Sequence, residues 1–391
     1  MVLKDSFAKQ ELTKLKQENL YRMLKRISLR VSCQAIVNGK QAINLSSNDY
    51  LGLSENKCVL TETKKQLVRV SPCSSRLMSG NSVVIEQLEQ QLASHRRTES
   101  SLVYPTGYMA NMGVISVLAD KDSTIFSDEL NHASIIDGCR LSGANIRIFN
   151  HNDIQHLEDL VQSTSAMKKI VVTEGIFSMD GDFSDLKQIC DIAKEHDAIT
   201  IVDDAHGDFI FGSSSSGFSG VPLHLGVNSA VDVHLSSLSK GLGCFGGYVA
   251  TTKMIRELLI NKSRQFIYTS ALPEHLCVSA LSAITRATKG DLQKKLFDNI
   301  TLMSKKLSQL GFRLKKSGSQ IIPVIIGDEK IAIDFSNLLL DNGIFVHAVR
   351  YPTVRKGSAR LRISITASHN KNQLMSVVDS FEMLGKRLRI I

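Results

Sequence analysis

Short apolar runs alternate with longer amphipathic segments between residues 83 and 285. The runs are rich in β-branched residues, as buried strands are, whereas the segments repeat their apolar residues at helical spacing. The runs predict strands at 101–104, 123–126, 145–149, 169–173, 199–202, 231–235 and 246–251. The segments predict helices that include 84–95, 107–118 and 186–196. This alternation predicts an α/β fold, with a mostly parallel seven-stranded sheet covered by helices on both faces.

The two ends of the chain show other patterns. Residues 5–28 have apolar positions near helical spacing and predict an amphipathic helix. The Asn38-Gly39 pair is a two-residue hairpin signal between predicted strands 31–37 and 41–45.

The C-terminal part begins with a helix-rich stretch, residues 273–310. Beyond it, the pattern predicts strands at 320–326, 345–349 and 360–365, and helices at 330–341 and 372–388. We therefore predict three units: an N-terminal helix and hairpin (1–45), a large domain (46–285) and a smaller α+β domain (286–391) that packs with the N-terminal segment.

Composition narrows the class of protein. The 391 residues carry a net charge of +9, but the basic residues are scattered and form no nucleic-acid-binding motif. The seven cysteines are an odd number without CxxC or CxxH spacing, which argues against a disulfide framework and a zinc site. Neither a signal peptide nor an apolar run of about 18 residues is present, so we expect a cytoplasmic protein without a membrane partner.

Two predicted strands end in residues that suggest chemistry. One is followed by Ser237, Ser239, Lys240 and glycines, and another ends at Asp203. Ligands of open α/β sheets bind at such strand ends. A lysine can form a Schiff base with pyridoxal 5′-phosphate (PLP), and a carboxylate keeps the ring nitrogen of PLP protonated. The alternative is that Asp203 caps a turn and forms a salt bridge with Lys240.

Other strand ends offer further groups for a cofactor. Gly107 and Tyr108 begin a predicted helix, where backbone amides can bind a phosphate. His132 offers a flat imidazole, although an isolated histidine there is more often a turn residue. Glu174 and Ser178 follow the strand that ends near Thr173 and add a carboxylate and a hydroxyl.

With these residues in place, the chain resembles the α-oxoamine synthase family of fold-type-I PLP enzymes, nearly end to end and in the same order. The matching stretches are LSSNDYLGLS (45–54), MSGNSVVIEQLE (78–89), LNHASIIDG (130–138), FNHND (149–153), VVTEGIFSMDGD (171–182), VDDAHG (202–207), LSKGLG (238–243), FIYTSALP (266–273) and AVRYPTVRKGSARLRISITASH (348–369).

The resemblance implies a role for each candidate residue. Lys240 holds PLP and moves the substrate α-proton, Asp203 pairs with the ring nitrogen and His132 stacks on the ring. The residues implied to bind the cofactor elsewhere are Ser178 and His206 at the phenolic oxygen, Gly107, Tyr108 and Ser237 at the phosphate, Glu174, and Thr269 or Ser270 from a second subunit. The residues implied to bind substrate are His132, Asn48 and Arg362 on the amino-acid side and Arg22 and Thr353 on the acyl side. Arg22 is also compatible with an ordinary surface charge.

The implied reaction is a decarboxylative condensation of L-alanine with pimeloyl-CoA, or with pimeloyl carried on a protein, in biotin synthesis. Within the same family, a glycine acetyltransferase or another acyl-CoA-dependent synthase is the alternative. The second alternative is a catalytically silent subunit, although the presence of Lys240, Asp203 and His132 together argues against it. The shared active site of the family implies a homodimer that binds small-molecule substrates and no nucleic acid.

The chain departs from the family pattern at three places. Residues 71–75 replace a glycine-rich run, Ser237 stands where threonine is usual, and Asp208-Phe209 replaces small residues after Gly207. We expect these changes to leave PLP binding intact and to affect the preference for the acyl chain.

Overall fold

The computed structural model describes residues 3–18, 20–31, 33–315 and 317–391. Asn19, in the predicted helix 5–28, and Ser32, in the predicted strand 31–37, lie outside the described residues, as do Met1 and Val2 at the start of the first predicted unit. The strands are β1 (Ile27–Val31), β2 (Gln34–Val37), β3 (Lys40–Asn44), β4 (Ser100–Tyr104), β5 (Ser123–Asp128), β6 (Asn145–Phe149), β7 (Lys168–Glu174), β8 (Ala198–Asp203), β9 (Val233–Ser237), β10 (Gly247–Thr251), β11 (Ile321–Gly327), β12 (Ile344–Phe345), β13 (His347–Val349) and β14 (Ala359–Ser364).

The helices cover both faces of the central sheet and build most of the C-terminal part. They are α1 (Leu3–Gln17), α2 (Lys57–Lys65), α3 (Val83–Arg96), α4 (Gly107–Leu118), α5 (Ala133–Ser142), α6 (Ile154–Gln162), α7 (Leu186–Glu195), α8 (Val221–His224), α9 (Lys253–Lys262), α10 (Arg264–Ile267), α11 (Glu274–Ala287), α12 (Asp291–Gln309), α13 (Glu329–Asp341) and α14 (Lys371–Arg387). In the described ranges, no helix has the length and apolar character that a membrane crossing needs.

All seven strands predicted between residues 83 and 285 lie in one sheet, in the order β4-β10-β9-β8-β7-β5-β6. Only β10 runs against its neighbours, so the prediction of a mostly parallel seven-stranded sheet is confirmed. The parallel strands end at one edge, where Glu174 of β7 pairs in register with Asp203 of β8, and Asp203 with Leu235 of β9. The residues that follow these strands therefore meet at one place.

The N-terminal segment confirms one prediction and corrects another. Asn38 and Gly39 have φ angles of +50° and +83°, as a type I′ hairpin between β2 and β3 requires. The helix predicted over 5–28 ends at Gln17 instead. Arg350 donates to the carbonyl of Tyr21 at 3.1 Å, and Ile27 starts a strand. Contacts with distant parts of the chain thus override the helical spacing beyond residue 17.

The strand predicted over 345–349 is two short strands in different sheets. β12 pairs in parallel with β3, whereas β13 pairs with β14 in the sheet β11-β14-β13. The prediction of one strand was wrong because both halves are apolar and only their pairing partners differ. β12 joins the N-terminal segment to the C-terminal part, while the division of the chain after residues 45 and 285 stays a prediction.

Candidate active site

A cavity of about 230 Å³ lies at the edge where the parallel strands end. Seven of the residues predicted from the sequence line it: Gly107, Tyr108, His132, Asp203, Ser237, Ser239 and Lys240. The wall also includes Asn111, Ser134 and Phe245, which the sequence did not point to. The strand-end argument therefore brought together residues that are more than a hundred positions apart in the chain.

Asp203 and Lys240 face the same cavity from neighbouring strand ends. The Asp203 carboxylate is buried and accepts hydrogen bonds from Asn111 Nδ2 at 2.6 Å and from the Ala205 amide at 3.0 Å. Burial lowers the pKa of the Lys240 amine, and the nearby charges of Asp203 and Glu174 act against that shift. Among the described residues no salt bridge joins these two side chains, and both line the cavity, where they are available to a ligand.

The first turn of α4 forms a cradle for an anion. Thr106 caps the helix by accepting from the Met109 amide at 3.1 Å. A Cβ atom on Gly107 would lie 3.0 Å from Ser237 Cβ, and one on Gly247 would lie 2.3 Å from the Gly107 nitrogen. Both glycines therefore keep the backbone amides close to Ser237, whose hydroxyl is 2.8 Å from that of Ser239. Amides at a helix N-terminus and two hydroxyls suit a phosphate, so the donor set fits the phosphate of PLP.

His132 is fixed at the N-terminus of α5. Its Nδ1 accepts from the Ser134 amide at 3.3 Å and lies 2.7 Å from the Ser134 hydroxyl, so the ring hydrogen is on Nε2. Burial lowers the pKa of His132, with Asp203 acting against the shift. A neutral, flat ring at the wall of the cavity suits stacking on an aromatic cofactor.

Asn111 joins the two sides of the site. One amide hydrogen goes to Asp203 and the other to the Ser134 hydroxyl at 2.8 Å, which in turn contacts His132. Sequence reasoning missed Asn111, although it follows Gly107 by one helical turn and so shares its helix face. That spacing was the available signal.

Glu174 is a buried carboxyl group at the end of β7. Burial, helped by the charge of Asp203, raises the pKa of Glu174 well above its ordinary value, while Lys240 acts against the shift. Its Oε1 has no hydrogen-bond partner among the described residues. This oxygen is therefore open to a ligand beside Lys240.

His206, Asn48 and Arg362 lie together behind the lining residues. Arg362 donates from Nη1 to Asn48 Oδ1 at 3.3 Å and from Nε to the carbonyl of Ser178 at 2.6 Å. His206 is linked to this group by Tyr50, a buried residue that sequence reasoning did not single out. Burial and the charges of Lys240 and Arg362 lower the pKa of His206 well below its ordinary value.

Four predicted residues lie apart from the Lys240 cavity within one chain. Thr269 and Ser270 line a separate small pocket with Arg76 and Phe266. Arg22 is exposed on the irregular segment before β1, and Thr353 is exposed after β13. The hydrogen bond from Arg350 to Tyr21 brings these last two segments next to each other.

A charged histidine braces the loops around the cavity. His151 Nδ1 lies 3.1 Å from Asp128, the last residue of β5, and Nε2 lies 2.9 Å from Asp182, in the turn that carries Ser178. Burial disfavours the charged imidazole, but the bonds to both carboxylates outweigh it and raise the pKa of His151 to about 9. The imidazolium therefore holds the ends of β5 and β7 together at neutral pH.

This brace predicts a loss of stability in alkali. Because the pKa is about 9 in the folded chain and 6.5 in the absence of partners, the stabilisation is complete below pH 6.5 and disappears as the pH rises through 9. After allowance for partial exposure, we expect about 1–2 kcal/mol, measured as the difference between urea unfolding at pH 6.5 and 9.5. His151→Gln should lack this difference, whereas His196→Gln should keep it. An equal pH dependence in His151→Gln and the unmodified protein would contradict the assignment.

The chain matches a protein family and is similar to several known enzymes. The model of the family "Aminotransferase class I and II" matches residues 40–381. The chain is 40% identical over 390 residues to an 8-amino-7-oxononanoate synthase of Thermoanaerobacter pseudethanolicus, with 98% of each chain covered. It is 38% identical over 387 residues to the 8-amino-7-oxononanoate synthase of Citrifermentans bemidjiense, with 98% of this chain and 99% of the relative covered.

Solved structures share the fold over nearly the whole chain. A serine palmitoyltransferase of Sphingomonas wittichii superposes with a TM-score of 0.93 at 30% identity, covering 99% of this chain and 98% of its own. A variant of the enzyme from S. paucimobilis, solved with a bound PLP compound, gives 0.93 at 29% identity with both chains fully covered. The 8-amino-7-oxononanoate synthase of Francisella tularensis gives 0.75 at 27% identity, covering 90% of this chain and 99% of its own.

Proposed function

The chain belongs to the class I and II aminotransferase family, and from this premise we propose that it is a PLP-dependent acyltransferase that condenses L-alanine with a pimeloyl thioester. The products are 8-amino-7-oxononanoate, CO₂ and the free thiol carrier, as in biotin synthesis. The observation that carries the proposal is that Lys240 and Asp203 line one cavity in a chain similar from end to end to 8-amino-7-oxononanoate synthases.

We assign the cofactor contacts from the donor groups around this cavity. The Gly107 and Tyr108 amides and the Ser237 hydroxyl hold the phosphate, with Thr269 or Ser270 contributed by a second subunit. Asp203 would hold a proton on the ring nitrogen, and His132 would cover the ring. Ser178, His206 and Glu174 would hold the cofactor on the side of its phenolic oxygen and Lys240. Bound PLP supplies an electron sink for negative charge that develops on the substrate α-carbon.

The chain's own groups then move the protons. Because burial lowers the pKa of Lys240, the amine can lose its proton and take one from the α-carbon. Asp203 stays in place because Asn111 and the Ala205 amide hold both of its oxygens. Arg362 and Asn48 bind the amino-acid carboxylate until CO₂ leaves. Lys240 then returns a proton to the α-carbon.

The acyl thioester enters on the side of Arg22 and Thr353. Both side chains are exposed, and their segments are joined by the bond from Arg350 to Tyr21. An exposed cation such as Arg22 suits an anionic acyl substrate.

We also propose a cytoplasmic homodimer with shared active sites. Tyr108 and Phe245 line the cavity yet are 42% and 50% exposed, and Tyr268, next to Thr269, is 72% exposed. A second copy over this apolar rim would cover these rings and deliver Thr269 or Ser270 to the opposite cavity. The cysteines that the structure describes are all free, as suits a reducing compartment.

A substrate panel tests the reaction. We expect turnover with L-alanine and pimeloyl-CoA to exceed that with glycine and acetyl-CoA by about a hundredfold in kcat/KM, because a chain of methylenes and a terminal carboxylate add binding energy that acetyl lacks. Pimeloyl-carrier protein in place of the CoA thioester identifies the carrier. A preference for glycine and acetyl-CoA would reject the proposal.

A second candidate is a serine-using, long-chain acyltransferase. It is favoured by the TM-score of 0.93 to serine palmitoyltransferases, against 0.75 for the Francisella synthase. Sequence identity favours the first candidate, since the curated synthases reach 40% and the palmitoyltransferases about 30%. Adding L-serine with palmitoyl-CoA to the same panel decides between them.

A further inference from the structure

Tyr50 lies between His206 and the pair Asn48 and Arg362. Its side chain is fully buried in the irregular stretch after β3. The hydroxyl lies 2.7 Å from His206 Nδ1, 3.1 Å from Asn48 Oδ1 and 3.5 Å from Arg362 Nη2. It therefore joins the histidine assigned to the cofactor to the two residues assigned to the amino-acid carboxylate.

The hydrogens of Tyr50, His206 and Arg362 decide which atom donates in each of these contacts. A phenol has one hydrogen, and a neutral imidazole has one N–H and one bare nitrogen. Burial together with the Lys240 and Arg362 charges keeps His206 neutral, and burial raises the pKa of Tyr50, so its hydroxyl keeps the hydrogen. Arg362 is a donor only and must face a lone pair of the phenol oxygen.

The single hydrogen of Tyr50 then has two possible acceptors. Asn48 Oδ1 already accepts from Arg362 and is the more distant of the two, whereas Nδ1 of His206 is at 2.7 Å. Donation to Nδ1 leaves the imidazole hydrogen on Nε2. Among the described residues, the side-chain hydrogen bond of His206 is the one between its Nδ1 and Tyr50, so the Nε2–H is available to a ligand.

We propose that Tyr50 is a positioning residue that fixes His206 in the Nε2–H tautomer, so that the imidazole donates to the cofactor. The identity of the acceptor at Nε2, the phenolic oxygen of PLP, rests on the proposed function. The tautomer itself rests only on the contacts of Tyr50. Gln320 holds the backbone of the same histidine by donating to its carbonyl at 2.7 Å. Loss of the Tyr50 hydroxyl therefore lets the imidazole hydrogen move to the other ring nitrogen, while the backbone of His206 stays in place.

Nitrogen-15 NMR of the imidazoles in the full PLP-loaded protein tests this directly, with His206→Asn used to assign the signal. We expect a protonated Nε2 and a bare Nδ1 in the unmodified protein, and a mixed or reversed tautomer in Tyr50→Phe. Tyr104→Phe is the matched control: Tyr104 is equally buried, and its hydroxyl contacts Ser263 at 3.1 Å. A protonated Nδ1 in the unmodified protein, no change in Tyr50→Phe, or an equal change in Tyr104→Phe would overturn the proposal.

A double-mutant cycle provides the kinetic counterpart. Tyr50→Phe is expected to lower kcat roughly tenfold, the effect of one misplaced buried hydrogen bond, but less than about twofold when His206 is already asparagine. Additive effects would mean that Tyr50 does not act through His206. If the proposed substrates are not turned over at all, the proposed function fails while the NMR result still decides the role of Tyr50.

Discussion

Replacing Lys240 with alanine is expected to lower kcat by about a thousandfold or more, because the variant lacks the amine that takes and returns the α-proton. Lys240 is half-buried at the cavity wall, so we expect its replacement to leave the fold in place. Single-turnover measurement of α-proton exchange in alanine isolates this step from binding of the thioester. Borohydride reduction followed by mass spectrometry should retain PLP covalently in the unmodified protein only.

Two further variants separate the amine from its charge. Lys240→Arg keeps a cation but, because a guanidinium does not lose its proton, should be as inactive as Lys240→Ala. Lys253→Ala removes a lysine at the N-terminus of α9, away from the cavity, and should leave the rate unchanged. Rapid α-proton exchange in Lys240→Ala would show that another group is the base.

The parts of the fold that could be predicted are those that depend on local sequence patterns. Six of the seven apolar runs are largely buried on both faces, and β6 at the edge of the sheet is the exception. Their type therefore followed from the sequence, and parallel order brought Asp203 and Lys240 to one edge. The end of α1 and the split of residues 345–349 could not be predicted, because both depend on pairing with distant segments. Tyr50 was missed for the same reason. It lies in a stretch without periodicity, and its partner is a histidine 156 positions away.

The sequence pattern at Asp208-Phe209 does not reveal where these two larger side chains pack. Phe209 is buried with φ at +63°, a conformation that favours glycine, and its ring stacks on His95 at 3.9 Å. Asp208 is buried against Arg96 at 3.0 Å and His95 at 2.8 Å. A Cβ atom on Gly241 would lie 2.5 Å from the Asp208 carbonyl, so this pair packs directly beside Lys240.

It follows that the larger side chains of Asp208 and Phe209 point into the core and not into the cavity. His95 supplies a stacking surface and a hydrogen bond, and Arg96 supplies a charge, which together offset the cost of the left-handed backbone and the buried carboxylate. Neither residue lines the Lys240 cavity. An effect of this departure on the acyl chain would therefore act through the packing on Gly241.

Replacing Asp203 with asparagine is expected to leave the fold and PLP binding in place but to lower kcat by about a hundredfold to a thousandfold. Asparagine keeps the shape and can still accept from Asn111, whereas it carries no charge to hold a proton on the ring nitrogen. The electron sink is weakened, so α-proton exchange should slow by the same factor as overall turnover. Asp203→Glu keeps the charge and should retain more activity than the neutral variant if charge is the property that matters.

The control must remove an aspartate charge without touching the site. Asp232, before β9, is exposed, and its carboxylate accepts from the Thr200 amide at 2.8 Å, so Asp232→Asn should leave kcat unchanged and cost a little stability. Visible absorbance shows whether Asp203→Asn still holds PLP. Full activity in a PLP-loaded Asp203→Asn would mean that another group protonates the ring. Glu174 is the neighbouring carboxyl group, but burial raises its pKa and so disfavours the charge that a partner of the ring nitrogen needs. For that reason we expect no substitute for Asp203 within the described chain.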